Sequence, residues 1–366
     1  MKIDELDLDY RLLRLFLTIY DEGSVTAAAN RLGVGQPTVS HGLDRLRQMI
    51  GDADVDIQVK STAVWTVNNM YATHMQKDRV FIMGDAAHRH PPSNGLGSNT
   101  SIQDAFNLAW KLAHVLKGKA GPALLDTYTE ERAPVAKQIV KRANQSIGEF
   151  GRIFEALGLT DTVDPVKMQA NMDARCDASP SAEEQRRRLR DAIAFKKYEF
   201  DCHGVEMNQR YDSAAVVRDG QEAPAPLPDM ELNYQPTTWP GARLPHAWVF
   251  RDTGEKVSTL DLCGKGRFTL LTSIGGEAWA RAAETVGAEL GLDLAVHVIG
   301  PRRPIQDHLG EWARLREVGD TGVVMTRPDQ HVCYRAAAMA ADPEAELRRV
   351  LGAILQPRTA AAVAAE

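Results

Sequence analysis

The stretch from Arg79 to Ala113 constrains the fold of this chain more than any other part of its sequence. The apolar run Val80–Met83 is followed by a loop rich in Pro, Asn, Gly and Ser, and then by residues with helical periodicity. This order predicts a buried strand, a loop, and a helix that begins near Asn99. Asp85, at the end of the strand, can accept hydrogen bonds from the hydroxyls of a polyol chain.

The loop also suits a flat, electron-rich ring. Gly95 and Gly97 let the backbone approach such a ring, and the free N–H groups at the helix start can stabilise negative charge on it. The run G-D-A-A-H-R-H-P-P-S-N-G-L-G-S-N-T-S resembles the second flavin motif of the FAD-dependent aromatic hydroxylases, the phenol and chlorophenol monooxygenase group. The resemblance implies FAD as cofactor, NADPH as reductant and hydroxylation of a phenolic small molecule.

The same resemblance assigns expected roles within the loop. Asp85 would bind the ribityl chain, Pro92 would lie beside the reactive edge of the flavin ring, and the glycines would line its pyrimidine side. No residue is assigned a catalytic role. The residues expected to contact the cofactor are Asp85, Pro92, Gly95, Leu96, Gly97, Ser98 and Asn99.

The first fifty residues follow a different pattern. Ser24 is placed to cap a helix over Val25–Leu32, Gly33 follows as a turn, and a further helix begins at Gln36. A first helix is expected around Leu12–Ile19. The run E-G-S-V-T-A-A-A-N-R-L-G-V-G-Q-P-T-V-S-H resembles the helix-turn-helix of LysR-type regulators. By that resemblance, the residues expected to contact DNA are Gln36, Pro37, Thr38, Ser40, His41 and Arg45.

Charge argues for weak DNA binding by this segment. Residues 1–50 carry six basic and seven acidic side chains, which gives poor attraction for phosphate. A three-helix packing unit with no DNA role remains an alternative. A DNA-binding regulator, with the rest of the chain as a dimerising or ligand-sensing body, is the competing function.

Residues 47–52 mark the change from one pattern to the other. No G-x-G-x-x-G, the motif expected to hold the flavin diphosphate, occurs in this sequence. A gene fusion or an assembly artefact would both give this arrangement. We therefore expect only the rear part of a hydroxylase here, weak or lost FAD binding, and no phenol hydroxylation by the chain alone.

Residues 237–356 predict a separate α/β domain. Its β-α-β…β-β-α order resembles a thioredoxin-like fold, which the phenol hydroxylases carry at their C-terminus. Where a thioredoxin carries its two cysteines, this sequence has Ser273-Ile-Gly-Gly-Glu-Ala-Trp279, which contains none. A packing or dimer-interface role is therefore expected rather than redox chemistry. The predicted elements are strands at Ala247–Phe250, Phe268–Thr272, Leu294–Ile299, Gly322–Thr326 and Val332–Ala336, and helices at Glu277–Leu290 and Pro343–Leu355.

The sequence thus predicts a multi-domain, mixed fold. An all-α helix-turn-helix head (1–50) precedes an incomplete α/β flavin-binding segment (51–160), a helical segment and linker (161–236), the thioredoxin-like domain (237–356) and a tail (357–366). Four scattered cysteines and no long apolar run indicate a cytoplasmic chain with no membrane contact. His88 and His90 could point the same way, but without a third ligand nearby no metal site is expected. Homodimerisation through the hydroxylase part or the thioredoxin-like part is left as an alternative to a monomer.

Overall fold

The computed structural model describes residues 18, 19, 22, 24–50 and 66–355, with side chains 45–50 outside that description. The predicted helix Leu12–Ile19 and the tail therefore lie almost wholly outside the described residues. Contacts divide the chain into two compact units: Met1–Val67 with Gly148–Phe195, and Asn68–Ile147 with Lys196–Glu366. Across the described residues, no helix combines the length and apolarity needed to cross a bilayer.

The first unit contains the predicted helix-turn-helix. Helix α1 (Val25–Leu32) begins where the Ser24 hydroxyl accepts a hydrogen bond from the Ala27 N–H at 3.0 Å. It ends at Gly33, whose φ of +66° is a left-handed conformation that glycine adopts without strain. Helix α2 (Gln36–Ile50) follows, and Val39 is fully buried in the small apolar core between the two helices. The sequence prediction is confirmed for these two helices and their turn.

The same unit holds three helices from the middle of the chain: α5 (Gly151–Ala156), α6 (Pro165–Asp173) and α7 (Pro180–Phe195). Asp164 caps α6 by accepting from the Val166 N–H at 3.0 Å. The Arg152 guanidinium lies 3.6 Å from the centroid of the Phe195 ring, which joins the first and last of these helices.

The second unit begins with four two-residue strands and two long helices. The strands form two antiparallel pairs, β1 with β4 and β2 with β3. The elements are β1 (Met70–Tyr71), β2 (Gln76–Lys77), β3 (Val80–Phe81), β4 (His88–Arg89), α3 (Leu96–Leu116) and α4 (Thr127–Gly148). Short helices α8 (Lys197–Phe200) and α9 (His203–Met207) come later in the same unit.

The predicted strand Val80–Met83 is confirmed only over Val80–Phe81, and its predicted burial is wrong. These two residues pair with β2 in a small hairpin, and Val80 is 66% exposed. The apolar run misled the prediction because burial depends on neighbouring strands, which the sequence pattern does not supply.

A seven-stranded sheet dominates the C-terminal part of this unit. Its strand order is β11-β10-β7-β8-β9-β5-β6, with β8 parallel to its neighbours β7 and β9 and the other pairs antiparallel. The strands are β5 (Trp248–Arg251), β6 (Lys256–Ser258), β7 (Phe268–Ser273), β8 (Leu294–Ile299), β9 (Ile305–Gln306), β10 (Val323–Thr326) and β11 (Val332–Ala336). Helices α10 (Thr259–Leu262), α11 (Glu277–Leu290), α12 (Glu311–Leu315) and α13 (Pro343–Leu355) accompany the sheet.

The sheet is covered on both faces by apolar cores. On one face Trp279 of α11 and Leu351 of α13 pack against Phe268, and on the other Trp312 packs with Leu271. Burying aromatic side chains of this size contributes about 1.5–3 kcal/mol each. The predicted elements of this region are confirmed to within a residue or two.

Candidate functional site

The candidate site is built on the loop between β3 and α3. Gly84 is buried with φ of +56°, and a Cβ there would lie 2.8 Å from the Ser101 hydroxyl, so only glycine fits without movement. A short helical turn, Gly84–Ala86, then presents Asp85 with an exposed side chain. The Arg89 guanidinium donates to the Asp85 carbonyl at 3.0 Å and holds this turn closed.

Asp104, on helix α3, fixes the loop from behind. Its Oδ2 accepts from the Gly84 N–H and from His88 Nε2, both at 3.0 Å, while Oδ1 accepts from Arg132 Nε at 2.7 Å. The carboxyl group is fully buried. Burial would raise the pKa of Asp104, but the His88 hydrogen bond and the Arg132 charge outweigh burial and lower it. The loop is therefore anchored by an ionised carboxylate.

The start of helix α3 is open to an incoming ligand. Gly95, with φ of +61°, is its N-cap and offers no side chain to the first N–H groups. The first turn holds no acidic residue, so nothing competes for the positive end of the helix dipole. The Asn99 amide donates back to the Gly95 carbonyl at 2.9 Å and stiffens this corner.

The structure brings most of the predicted flavin contacts to one exposed edge. Asp85, Pro92, Gly95, Ser98 and Asn99 are exposed, and Gly97 is half-buried. Leu96 is different: its side chain is buried in the apolar core beside Ile139, so only its backbone faces the loop. Among the predicted DNA contacts, Gln36, Pro37, Thr38 and His41 are exposed and Ser40 is half-buried, while the Arg45 side chain lies outside the described residues.

A second buried network lies beside Asp104, and sequence reasoning found only part of it. Glu131 of α4 accepts from Lys111 at 2.8 Å and, through both oxygens, from Arg327 at 2.5 and 3.0 Å. Arg327 also donates to both oxygens of Asp329, and these side chains are essentially inaccessible to water. We call Lys111, Glu131, Arg327 and Asp329 the buried quartet.

The quartet carries two positive and two negative charges. Burial would raise the pKa of Glu131, but the Arg327 and Lys111 charges lower it to about 2. Burial lowers the pKa of Lys111 to about 8 even though Glu131 opposes this. Each carboxylate thus depends on the cations around it to remain charged in the interior.

The position of Arg327 makes the quartet a structural link. Arg327 follows strand β10 of the large sheet, whereas Glu131 lies on the helix next to the one that carries Asp104. From the sequence, Tyr128 and the Glu131/Arg132 pair, in the run D-x-Y-x-x-E-R-x-P, are expected only to tie helices together. Arg327, the partner of Glu131, was missed because the two residues are 196 positions apart.

A cavity of about 460 Å³ adjoins the outer face of helix α3. Leu96, Asn99 and Phe106 line one side, and the stacked rings of Tyr211 and His331, 4.1 Å apart, line the other. The cavity shares Leu96 and Asn99 with the candidate flavin loop, which places a ligand-sized space beside it.

No group of three or more His, Cys, Asp or Glu side chains in the described part of the chain could hold a metal ion. His88 and His90 stack with ring centroids 6.1 Å apart, and His88 is already engaged by Asp104. All four cysteines are free thiols.

Comparison with known proteins identifies three segments. Residues 35–143 match the family model of the FAD binding domain, and residues 237–357 match that of the aromatic-ring hydroxylase C-terminal region. Residues 10–53 match the bacterial regulatory helix-turn-helix model of the lysR family. The first and third matches share residues 35–53, where the sequence pattern changes.

Curated relatives agree with these models. A 2,4-dichlorophenol 6-monooxygenase of Delftia acidovorans is 53% identical over 86% of this chain and 54% of its own length. A phenol 2-monooxygenase of Pseudomonas sp. (strain EST1001) is 50% identical over 85% of this chain and 51% of its own length. The chain spans about half the length of the curated relatives it matches.

A solved structure gives the same picture. The flavin-dependent monooxygenase PieE, in complex with FAD and substrate, is 43% identical and superposes with a TM-score of 0.80. That match covers 86% of this chain and 54% of the PieE chain.

Proposed function

Over residues 35–143 and 237–357 the chain belongs to the FAD-dependent aromatic-ring hydroxylases, and we propose that residues 84–99 hold the ring and ribityl parts of FAD. The observation that carries the proposal is the open start of helix α3 together with an exposed Asp85, whose turn is joined to that helix by the hydrogen bond from the Gly84 N–H to Asp104. Its relatives act on phenol and dichlorophenol, so we propose a phenolic ring as the substrate class.

The residues present fit this cofactor. The exposed Asp85 carboxylate is free to accept from ribityl hydroxyls, and the uncapped N–H groups after Gly95 can donate to a ring carbonyl that gains negative charge. Pro92, Gly97, Ser98 and Asn99 border the same edge, and Leu96 contributes its backbone. When bound and reduced by NADPH, FAD supplies the activation of O₂ that puts one oxygen atom on the phenolic ring.

Asp104 and Arg132 serve this site as positioning residues. Asp104 sets the Gly84 turn and the His88 ring in place, and Arg132 supplies the positive charge that keeps Asp104 ionised. Neither side chain is exposed to a ligand. Loss of either should therefore loosen the loop rather than remove a contact to FAD.

The predicted C-terminal domain is best supported as thioredoxin-like. Strand β7, helix α11 and parallel strand β8, followed by antiparallel β10 and β11 and helix α13, support this reading. We propose that it packs or dimerises rather than exchanging electrons, because Ser273–Trp279 contains no cysteine. The domain boundaries of the sequence analysis stay predictions, and the contacts group 68–147 with 196–366.

FAD binding tests the proposal directly. Purified chain should perturb the visible spectrum of FAD in a saturable way, and Asp85→Asn should weaken the interaction about tenfold, the loss expected of a charge-assisted hydrogen bond. Asp78→Asn is the matched control, because Asp78 is an exposed acid in the nearby β2–β3 turn. Equal binding by both variants and the native chain, or no spectral change, would refute the assignment.

The helix-turn-helix supports a second function, DNA binding by helix α2. Its exposed residues Gln36, Thr38 and His41 lie away from the buried Val39 and are free to contact bases. We propose that this binding is weak and strongly salt-sensitive, because acidic residues offset the basic ones in this segment. A gel-shift titration that gave nanomolar, sequence-specific binding at physiological salt would make the regulator the leading function.

A further inference from the structure

Helix α3 carries large apolar side chains on its outer face as well as its inner one. Ile102 is 67% exposed and Phe106 is 47% exposed, and at a spacing of four residues they lie side by side on the helix. Val80 and Met83, just before the candidate flavin loop, are exposed as well. We call these four residues the apolar patch. Exposed apolar side chains that group together commonly mark an interface with another molecule.

The strand and the helix that supply the patch meet at the flavin loop. A Cβ on Gly84 would lie only 2.8 Å from the Ser101 hydroxyl, so these two residues are in contact. Met83 and Ile102 are their immediate neighbours in the chain, which brings both halves of the patch to one region. Strand β3 pairs with β2 alone among the described strands, so its other edge has no partner strand there. An edge of this kind can accept a further strand.

The covalent structure of FAD limits what can cover the patch. The diphosphate follows directly on the ribityl chain, so a loop that holds the ring and ribityl parts needs the diphosphate site close to Asp85. Proteins hold such a diphosphate on the backbone N–H groups of a glycine-rich turn at a helix N-terminus. This sequence contains no G-x-G-x-x-G. The diphosphate site therefore has to be supplied by another polypeptide, docked beside the loop, where the apolar patch lies.

The curated relatives indicate the class of that polypeptide, because the chain spans only 54% of the length of its Delftia acidovorans relative. We propose that the apolar patch docks a second polypeptide equivalent to the part of a flavin hydroxylase that this chain does not match. Its apolar strand adds to the unpartnered edge of β3, and the glycine-rich turn and helix that follow it lie against Ile102 and Phe106. The proposal rests on the proposed function of the loop, which the docked partner completes into one FAD site.

Co-expression tests the docking. The full-length chain carries an affinity tag, and the partner is the part of the Delftia acidovorans 2,4-dichlorophenol 6-monooxygenase that the chain does not match. The two should purify as a one-to-one complex, with the mass given by light scattering. Ile102→Ser combined with Phe106→Ser should lower the recovery of the partner at least about tenfold, because docking buries both side chains. Leu116→Ser is the matched control, because Leu116 is exposed at the far end of the same helix, and it should leave recovery unchanged. Urea unfolding checks that the variants are folded.

Flavin titrations of the complex separate docking from the assignment of the loop. The complex should bind FAD at least about a hundredfold more tightly than riboflavin, because only FAD reaches the diphosphate site. Asp85→Asn should weaken FAD binding and leave the recovery of the partner unchanged. FAD binding that is indifferent to Asp85 would refute the proposed function of the loop, whereas docking is judged by recovery alone. Three results would overturn the docking proposal: no complex, equal recovery with the native chain and the Ile102/Phe106 double variant, or a chain that dimerises by itself through the patch and becomes monomeric in that variant.

Discussion

Removing the Arg327 guanidinium should destabilise the second unit severely. Arg327→Met leaves Glu131 and Asp329 as two buried carboxylates without the cation that donates to both of them. Breaking a buried ion pair from one side costs about 3–5 kcal/mol. Lys111 still pairs with Glu131 at 2.8 Å, but it is then the one cation of the quartet left for two buried carboxylates. A loss of this size is a large fraction of the stability of a typical domain.

Urea unfolding followed by circular dichroism measures this loss. The matched control is Arg348→Met, which breaks an exposed pair of Arg348 with Glu289 in the same unit and should change stability little. A double variant sharpens the test. Once Arg327 is gone, Glu131→Gln removes one of the stranded charges, so it should cost less than in the native chain. Equal effects of Arg327→Met and Arg348→Met, or strict additivity in the double variant, would refute the reasoning.

Two further predictions concern the anchoring of the loop at Gly84 and the stability of the chain at acid pH. Gly84→Ala should lower the free energy of unfolding by about 1–3 kcal/mol and weaken FAD binding. Gly118 is also at positive φ but has open space around it, so Gly118→Ala should lower stability without changing FAD binding. Urea unfolding and FAD titration of both variants check this. Because the pKa of Glu131 is lowered to about 2 from an ordinary 4.5, the quartet's stabilisation is complete above pH 4.5 and lost as the pH falls towards 2. Urea midpoints across that range should fall steeply, and a flat profile would contradict the burial argument.

Most of the C-terminal fold could be predicted from the sequence. Strand β8 and helices α11 and α13 match their predicted bounds, because continuous apolar runs and helical periodicity are local signals. The short strands β6 and β9 were missed, since two or three residues carry no periodic pattern. The strand at Val80 is present, but its predicted burial was wrong, because an apolar run does not by itself determine burial.

The candidate flavin loop could be located from its motif, but the side chains that hold the loop in place could not be predicted. Asp104 lies within the helical pattern and reads as an ordinary exposed acid, yet it anchors Gly84, His88 and Arg132. The helical pattern gives no signal for them, because Ile102 and Phe106 on its apolar side are exposed, whereas Asp104 and Lys111 face the interior. The partners of such residues depend on tertiary contacts that no sequence spacing encodes.

The central claim is that the chain holds FAD by its ring and ribityl parts, on residues 84–99. Parallel titrations with riboflavin and FAD, each repeated on Asp85→Asn, test this claim most directly. The account predicts dissociation constants for riboflavin and FAD within about tenfold of each other, both weakened by Asp85→Asn, since neither depends on a diphosphate contact. Binding of FAD many orders of magnitude tighter than riboflavin, and indifferent to Asp85, would contradict it.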